Sequence, residues 1–151
     1  MDALLDPPFA KDPPLKLDIP AKTLGLVLAI LGGIGTVLGV LALIGVGAFA
    51  AAIGGGLLFI GTLVQLVGTA LGAWGAYRMY QEDRGGKRLV IYSLVINAVG
   101  GLISVLAGTG LGGWIVNTLL AVGIYYLVII SRFEGEPKLV GATAPRRPEQ
   151  P

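Results

Sequence analysis

Charged residues divide the chain into polar blocks that are separated by two long apolar stretches. Residues 23–77 and residues 89–131 contain no Asp, Glu, Lys or Arg, and they are 55 and 43 residues long. A helix of about 20 apolar residues crosses a hydrocarbon core of about 30 Å. Each stretch is therefore long enough for two crossings joined by a turn, and the pattern predicts an all-α membrane protein with four transmembrane helices.

The bounds of the four helices follow from the charges and from the glycine-rich segments between them. All nine prolines lie outside the two apolar stretches, so no proline is expected to interrupt a helix. Together the helices are expected to form one transmembrane domain, residues 21–132. The predicted spans are residues 21–44, 54–80, 87–107 and 114–132, with an apolar turn at residues 45–53 and a glycine-rich turn at residues 108–113.

Two terminal segments flank this domain. Residues 1–20 form an arm with the sequence Asp-Pro-Pro at residues 6–8 and again at residues 12–14, which favours extended geometry. The arm also carries apolar side chains, so it is expected either to lie on the lipid headgroups or to dock on a neighbouring protein. Residues 133–151 are rich in Pro, Glu and Arg, and they are expected to form a disordered tail.

The eleven basic residues all lie on one side of the predicted bundle. They precede the first span, occupy the connection between the second and third spans, and follow the fourth span. By the positive-inside rule, both termini and this connection are expected in the cytoplasm, with the helices in the cytoplasmic membrane. The pI of 9.0 therefore reflects membrane orientation, and no nucleic-acid partner is expected.

The composition removes most catalytic chemistry. The chain is 54% hydrophobic and 13% charged, with a mean hydropathy of +0.81, and it has neither Cys nor His. Thiolate chemistry, imidazole catalysis and the commonest metal ligands are therefore excluded, and neither a cofactor nor a metal is expected. Since no carboxylate lies within a span, proton-coupled transport is also disfavoured.

Glycines dominate the apolar stretches, which contain 21 of the 25 glycines. Close approach at small residues supplies much of the packing energy between helices in lipid. Gly35 with Gly39, and Gly68 with Gly72, have the four-residue spacing that places two glycines on one helix face. These pairs are expected either to form a dimerisation or partner-docking face or to pack within the chain's own bundle.

Four hydrogen-bonding side chains lie near the middle of the spans: Thr36, Gln65, Asn97 and Asn117. An unpaired amide is costly in hydrocarbon, so these groups are expected to face the bundle and to bond one another or backbone carbonyls. They would either line a path for water or a small neutral solute, or hold the helices together.

The connection between the second and third spans carries Arg84, Lys87 and Arg88 around a Gly-Gly pair. These side chains are candidates for binding anionic lipid headgroups or an acidic partner. The alternative is that they set the topology and bind nothing, because cytoplasmic loops of membrane proteins are commonly basic.

Two weaker similarities complete the pattern. Residues 32–39 are similar to residues 100–107, which two tandem helical hairpins would produce. The run from Leu63 through Tyr77 and the Gly85-Gly86-Lys87-Arg88 turn to Leu102 resembles small bacterial four-helix integral membrane proteins of unknown function. That resemblance implies a bacterial membrane protein, and it assigns no catalytic or binding residue.

The sequence thus predicts a non-catalytic integral membrane protein that acts as an accessory or scaffold subunit of a membrane assembly. Its expected partners are the lipid bilayer and either another membrane protein or a second copy of the chain. The alternative is a passive pore or facilitator for a small solute, built on the mid-span polar residues. An enzyme comes third, because the carboxylates and tyrosines at the membrane boundary are scattered.

Overall fold

A computed structural model describes Pro7, residues 17–53 and residues 55–135. The described residues form four helices, each long and apolar enough to span a membrane, as predicted for a multi-pass membrane protein. The predictions for most of the arm and for the tail beyond residue 135 lie outside the described residues. The helices are α1 (Ala21–Ile53), α2 (Gly56–Tyr80), α3 (Gly85–Ser104) and α4 (Leu111–Ile130).

The bundle has two chemically different ends. At one end lie Lys22, Arg132 and the connection from α2 to α3, and we call it the basic end. At the other end, the connections from α1 to α2 and from α3 to α4 carry no charged residue, and we call it the charge-free end. A π turn, Val105–Thr109, extends α3 at the charge-free end.

The helix bounds differ from the predicted ones mainly at the charge-free end. Helix α1 continues through residues 45–53, which were expected to form a turn, because alanines and the absence of proline sustain the helix and backbone groups in lipid must stay hydrogen-bonded. Helix α4 begins three residues before the predicted start. The break that separates it from α3 is confined to Gly108 and Gly110, whose φ angles of 96° and 82° strongly favour glycine.

Helices α2 and α3 pack along a continuous line of paired residues, which we call the α2–α3 seam. On each helix, the paired residues alternate four and three positions apart, which is the spacing of a coiled coil. Every pair contains one glycine. The pairs are Gly61–Ser104, Gln65–Gly100, Gly68–Asn97, Gly72–Ser93, Gly75–Val90 and Met79–Gly86.

The seam brings the two backbones into direct contact at the basic end. A Cβ atom added to Gly86 would lie 2.5 Å from the carbonyl oxygen of Gly75 and 2.6 Å from the backbone nitrogen of Met79. Such distances are shorter than a side chain tolerates. The glycines are therefore required for close packing, which in a membrane takes the place of hydrophobic burial.

Helix α1 packs on another side of α2, again through glycines. Gly25, Gly32 and Gly39 follow one another at intervals of seven residues, and each lies against α2. The residue nearest to Gly32 is Ala73. Large apolar side chains elsewhere on α1 are more than half exposed, as expected of a lipid-facing surface. They include Ile30, Leu31, Ile34, Val37, Leu38, Leu41 and Ile44.

The two segments of the sequence repeat do not pack in equivalent ways, and the tandem-hairpin arrangement stays a prediction. If the two hairpins were equivalent, Gly32 would pack on α2 and its counterpart Gly100 would pack on α4. Instead, Gly100 lies against Gln65 and Gly61, so both glycines pack on α2. Both segments thus supply a small residue to the same central helix.

The basic end is closed by backbone contacts between the first and last helices. The backbone nitrogen of Ala21 donates to the carbonyl oxygen of Arg132 at 2.6 Å, and that of Arg132 donates to the carbonyl oxygen of Ile19 at 3.0 Å. The Lys87 ammonium donates to the carbonyl oxygen of Ser131. We call residues 19–21 and 131–133 with Lys87 the clasp, because it ties α1, α3 and α4 together.

Candidate functional site

The four glycines predicted to mediate helix packing all lie against helices of the same chain. Gly35 and Gly39 contact side chains of α2, at 3.3 Å and 3.0 Å from an added Cβ. Gly68 and Gly72 belong to the α2–α3 seam, opposite Asn97 and Ser93. These glycines therefore pack the bundle, and neither pair forms an exposed docking face.

Gln65 and Asn97 bridge α2 and α3. The Gln65 amide donates to the Ser104 hydroxyl at 2.9 Å. The Thr69 hydroxyl shares its proton between the carbonyl oxygen of Gln65 at 2.9 Å and the Asn97 amide oxygen at 3.3 Å. The Asn97 amide nitrogen donates to the carbonyl oxygen of Ser93 at 3.0 Å. Contacts of this kind stabilise membrane helices by about 0.6 kcal/mol each on average. Both amides thus hold the seam together.

Thr36 and Asn117 are placed differently. The Thr36 hydroxyl donates to the carbonyl oxygen of Gly32 on its own helix at 2.7 Å. Asn117 is exposed on α4, and its side chain forms no hydrogen bond to the part of the chain that the structure describes. The structure therefore does not bring the four mid-span polar groups together at one point.

A cleft of about 440 Å³ opens between the helices in the charge-free half of the bundle. We call it the charge-free cleft. Gln65 and Asn117 both line it, although they are on different helices. Its other polar or aromatic lining includes Thr62, Ser104, Thr109 and Trp114.

Thr62, Ser104 and Thr109 were not predicted as site residues, since small hydroxyl residues are common in membrane helices. For Ser104 a signal was available: it lies seven residues after Asn97 and four after Gly100, in the alternating spacing of the seam.

The connection at the basic end is organised by Asp83. Its carboxylate accepts hydrogen bonds from the backbone nitrogen of Gly85 at 2.7 Å and from Arg78 Nε at 2.8 Å. The bond from Gly85, followed by that from Arg78, holds the pKa of Asp83 below its usual value. Asp83 therefore stays ionised and anchors the turn between α2 and α3.

The three basic residues proposed to bind lipid or a partner differ in their surroundings. Lys87 belongs to the clasp, where its ammonium lies 5.1 Å from the centre of the Phe133 ring. Arg84 and Arg88 are exposed in the connection and in the first turn of α3. Lys87 thus takes part in a tertiary contact, and binding of lipid or a partner by these residues stays a prediction.

Comparison with known proteins adds no relative. Within the described residues, no group of three or more His, Cys, Asp or Glu side chains could hold a metal ion. No protein-family model matches the chain, and no curated protein or solved structure matches it. What can be inferred about its function therefore comes from the packing of four apolar helices and from the chemistry of the charge-free cleft.

Proposed function

We propose that this protein is a non-catalytic accessory or scaffold subunit that binds another transmembrane helix. The binding surface is the side of α4 that faces away from α3, formed by Gly112, Val116, Leu119 and Gly123, and we call it the α4 outer face. Val116 and Leu119 are 59% and 66% exposed. A Cβ added to either glycine would meet nothing within 4 Å.

The observation that carries this proposal is the spacing of the α4 outer face. Its residues are four, three and four positions apart, as are the residues of the α2–α3 seam. In the seam each glycine meets a partner helix, whereas on α4 the same pattern has no partner in the part of the chain that the structure describes. Small residues in this spacing let a second helix approach closely in lipid.

The placement of the mid-span amides supports a structural role. Gln65 and Asn97 are bonded across the seam, and towards the basic end the seam closes the space between α2 and α3. A solute path would need polar groups that continue to the opposite end. Gln65 and Asn97 are therefore better explained by helix association than by transport.

Replacing Gly123 by leucine tests the α4 outer face. The protein isolated from native membranes in mild detergent is expected to retain a stoichiometric membrane partner or a second copy, and the Gly123→Leu variant is expected to retain less than about a tenth of it, because the added side chain holds the helices apart. The yield and helix content of the variant should match the wild type, since the site is open.

Gly45→Leu is the matched control, because Gly45 also lies in open space but on α1. It is expected to keep the partner. Retention of the partner by Gly123→Leu, or equal loss in both variants, would exclude the α4 outer face as the docking surface.

We also propose that the basic end lies in the cytoplasm and that the membrane is a bacterial cytoplasmic membrane. The distribution of Lys and Arg supports the orientation, and the resemblance to small bacterial proteins suggests the membrane. Because the chain has no cysteine, single cysteines report topology directly. Thr109→Cys should react with an impermeant maleimide in intact cells, and Gln81→Cys only after permeabilisation. The reverse result would invert the topology.

A passive facilitator is the second candidate, and the charge-free cleft favours it. The lining of the cleft reaches Gln65 on α2 and Asn117 on α4 but includes no residue nearer the basic end of those helices. Transport would require the seam or the contact between α1 and α2 to open. Solute flux into liposomes that contain only the purified protein would favour the facilitator over the scaffold.

A further inference from the structure

We propose that the charge-free cleft binds an uncharged group that both donates and accepts hydrogen bonds, such as the hydroxyls of a polyol. This goes beyond the docking role, because the cleft and the α4 outer face lie on different sides of α4. Its volume of about 440 Å³ is within the range of small-molecule sites in proteins.

The position of the cleft follows from the way in which α1 and α4 meet. At the basic end the clasp joins them through the backbones of Ala21 and Arg132. In the charge-free half they line the cleft together, with Val46 on α1 and Gly113 on α4. The two outer helices are thus tied at one end and separated by the cleft at the other.

The polar groups of the cleft have hydrogen-bonding capacity to spare. Gln65 uses its amide nitrogen on Ser104, which leaves its amide oxygen as an acceptor. The Thr62 hydroxyl donates to the carbonyl oxygen of Leu58 at 2.9 Å and can still accept. Asn117 forms no hydrogen bond to any described residue, so it offers both a donor and an acceptor.

The depth of Asn117 in the membrane makes this unused capacity significant. Asn117 lies six residues into α4, which places it about 9 Å from the start of the helix. An amide at such a depth in hydrocarbon is costly unless a polar group bonds to it. A bound molecule that offers both a donor and an acceptor would remove that cost.

The lining also selects against charged ligands. None of the described residues that line the cleft is charged. A charged group would lose its hydration there without gaining a counter-charge. Trp114 adds an apolar surface, since its indole nitrogen is already bonded to the carbonyl oxygen of Ala98 at 3.0 Å. The cleft therefore fits an uncharged polar group with an apolar part beside it.

Such a group has two sources, a free polyol in the water and the headgroup of a neutral lipid. Glycerol and 1-monooleoylglycerol separate them, because they carry the same hydroxyls with and without an acyl chain. Trp114 is the reporter, and Trp74→Phe removes the other tryptophan of the chain. The protein is placed in phosphatidylcholine nanodiscs, and Trp114 emission is recorded as each probe is added.

The expected result is a saturable change in Trp114 emission. Adding Asn117→Leu should weaken the apparent affinity about tenfold or more, because the bound hydroxyls lose their partner. Thr36→Val is the matched control, since it removes a mid-span hydroxyl that is bonded to its own helix and lies outside the cleft. The control variant should bind as the Trp74→Phe protein does.

Each outcome decides the proposal or its source. Saturation by 1-monooleoylglycerol alone assigns a lipid headgroup, and saturation by glycerol as well assigns a free polyol. Saturation by neither probe, or a response that Asn117→Leu leaves unchanged, overturns the proposal. Gly123→Leu should not alter the response, so failure of the docking role and failure of this site are distinguishable.

Discussion

Replacing Gly86 by leucine is expected to separate α2 from α3 and to destabilise the protein more than loss of any side chain in the bundle. The atoms nearest an added Cβ are the carbonyl oxygen of Gly75 and the backbone nitrogen of Met79, at 2.5 and 2.6 Å. Backbone atoms cannot rotate away as side chains do, so the helices must move apart. We expect a loss of about 3 kcal/mol or more in the free energy of unfolding.

The loss of stability is measured by the thermal midpoint of unfolding in detergent and by the fraction of protein that elutes as a single species. Gly45→Leu makes the same chemical change where an added Cβ meets nothing within 4 Å, and it should change the free energy of unfolding by less than about 0.5 kcal/mol. Gly86→Ala should give an intermediate loss. Equal stability of the two leucine variants would show that the seam is not closely packed.

Removing the Trp114 side chain is expected to have the second largest effect. The indole lies against Gly101, and its nitrogen donates to the carbonyl oxygen of Ala98, so it links the first turn of α4 to α3. Toward the basic end, α4 is held by buried residues that include Val128. We therefore expect Trp114→Ala to cost about 2–4 kcal/mol and to loosen α4 mainly at the charge-free end.

Hydrogen exchange separates this local loosening from global unfolding. In Trp114→Ala, amides of residues 111–118 should exchange faster, while those of residues 124–130 should keep their protection. Trp114→Phe keeps an aromatic ring but loses the hydrogen bond, and it should cost only about 1 kcal/mol. If phenylalanine and alanine were equally destabilising, packing of the ring would not be what holds α4.

The four spans could be predicted because charge is so costly in hydrocarbon that its absence over residues 23–77 and 89–131 is a strong signal. The helix ends at the charge-free end were harder to predict, since glycine occurs both within helices and at breaks between them. Residues 45–53 remain helical, whereas Gly108 and Gly110 adopt positive φ angles and end the helix. Local composition does not distinguish these two cases.

The depth of a mid-span polar residue can be predicted from the sequence, but its hydrogen-bond partner cannot. Thr36, Gln65 and Asn117 have similar expected depths, yet their hydrogen bonds differ. Thr36 bonds to its own helix and Gln65 bonds to a neighbouring helix. Asn117 bonds to none of the described residues. Depth follows from position along a helix. The direction of a side chain depends on how each helix is rotated about its axis, and the other helices decide that rotation.

The sequence by itself determined that the chain forms four apolar spans without charged residues inside them, because the thickness and low polarity of a bilayer constrain each segment independently. Only the tertiary structure decided that α2 is the central helix, that Gly32 and Gly100 both pack against it, and that an open cleft lies beside α4 in the charge-free half. Those features depend on which small residues meet across helices. With 25 glycines in the chain, many pairings have the right spacing, and only the assembled bundle selects among them.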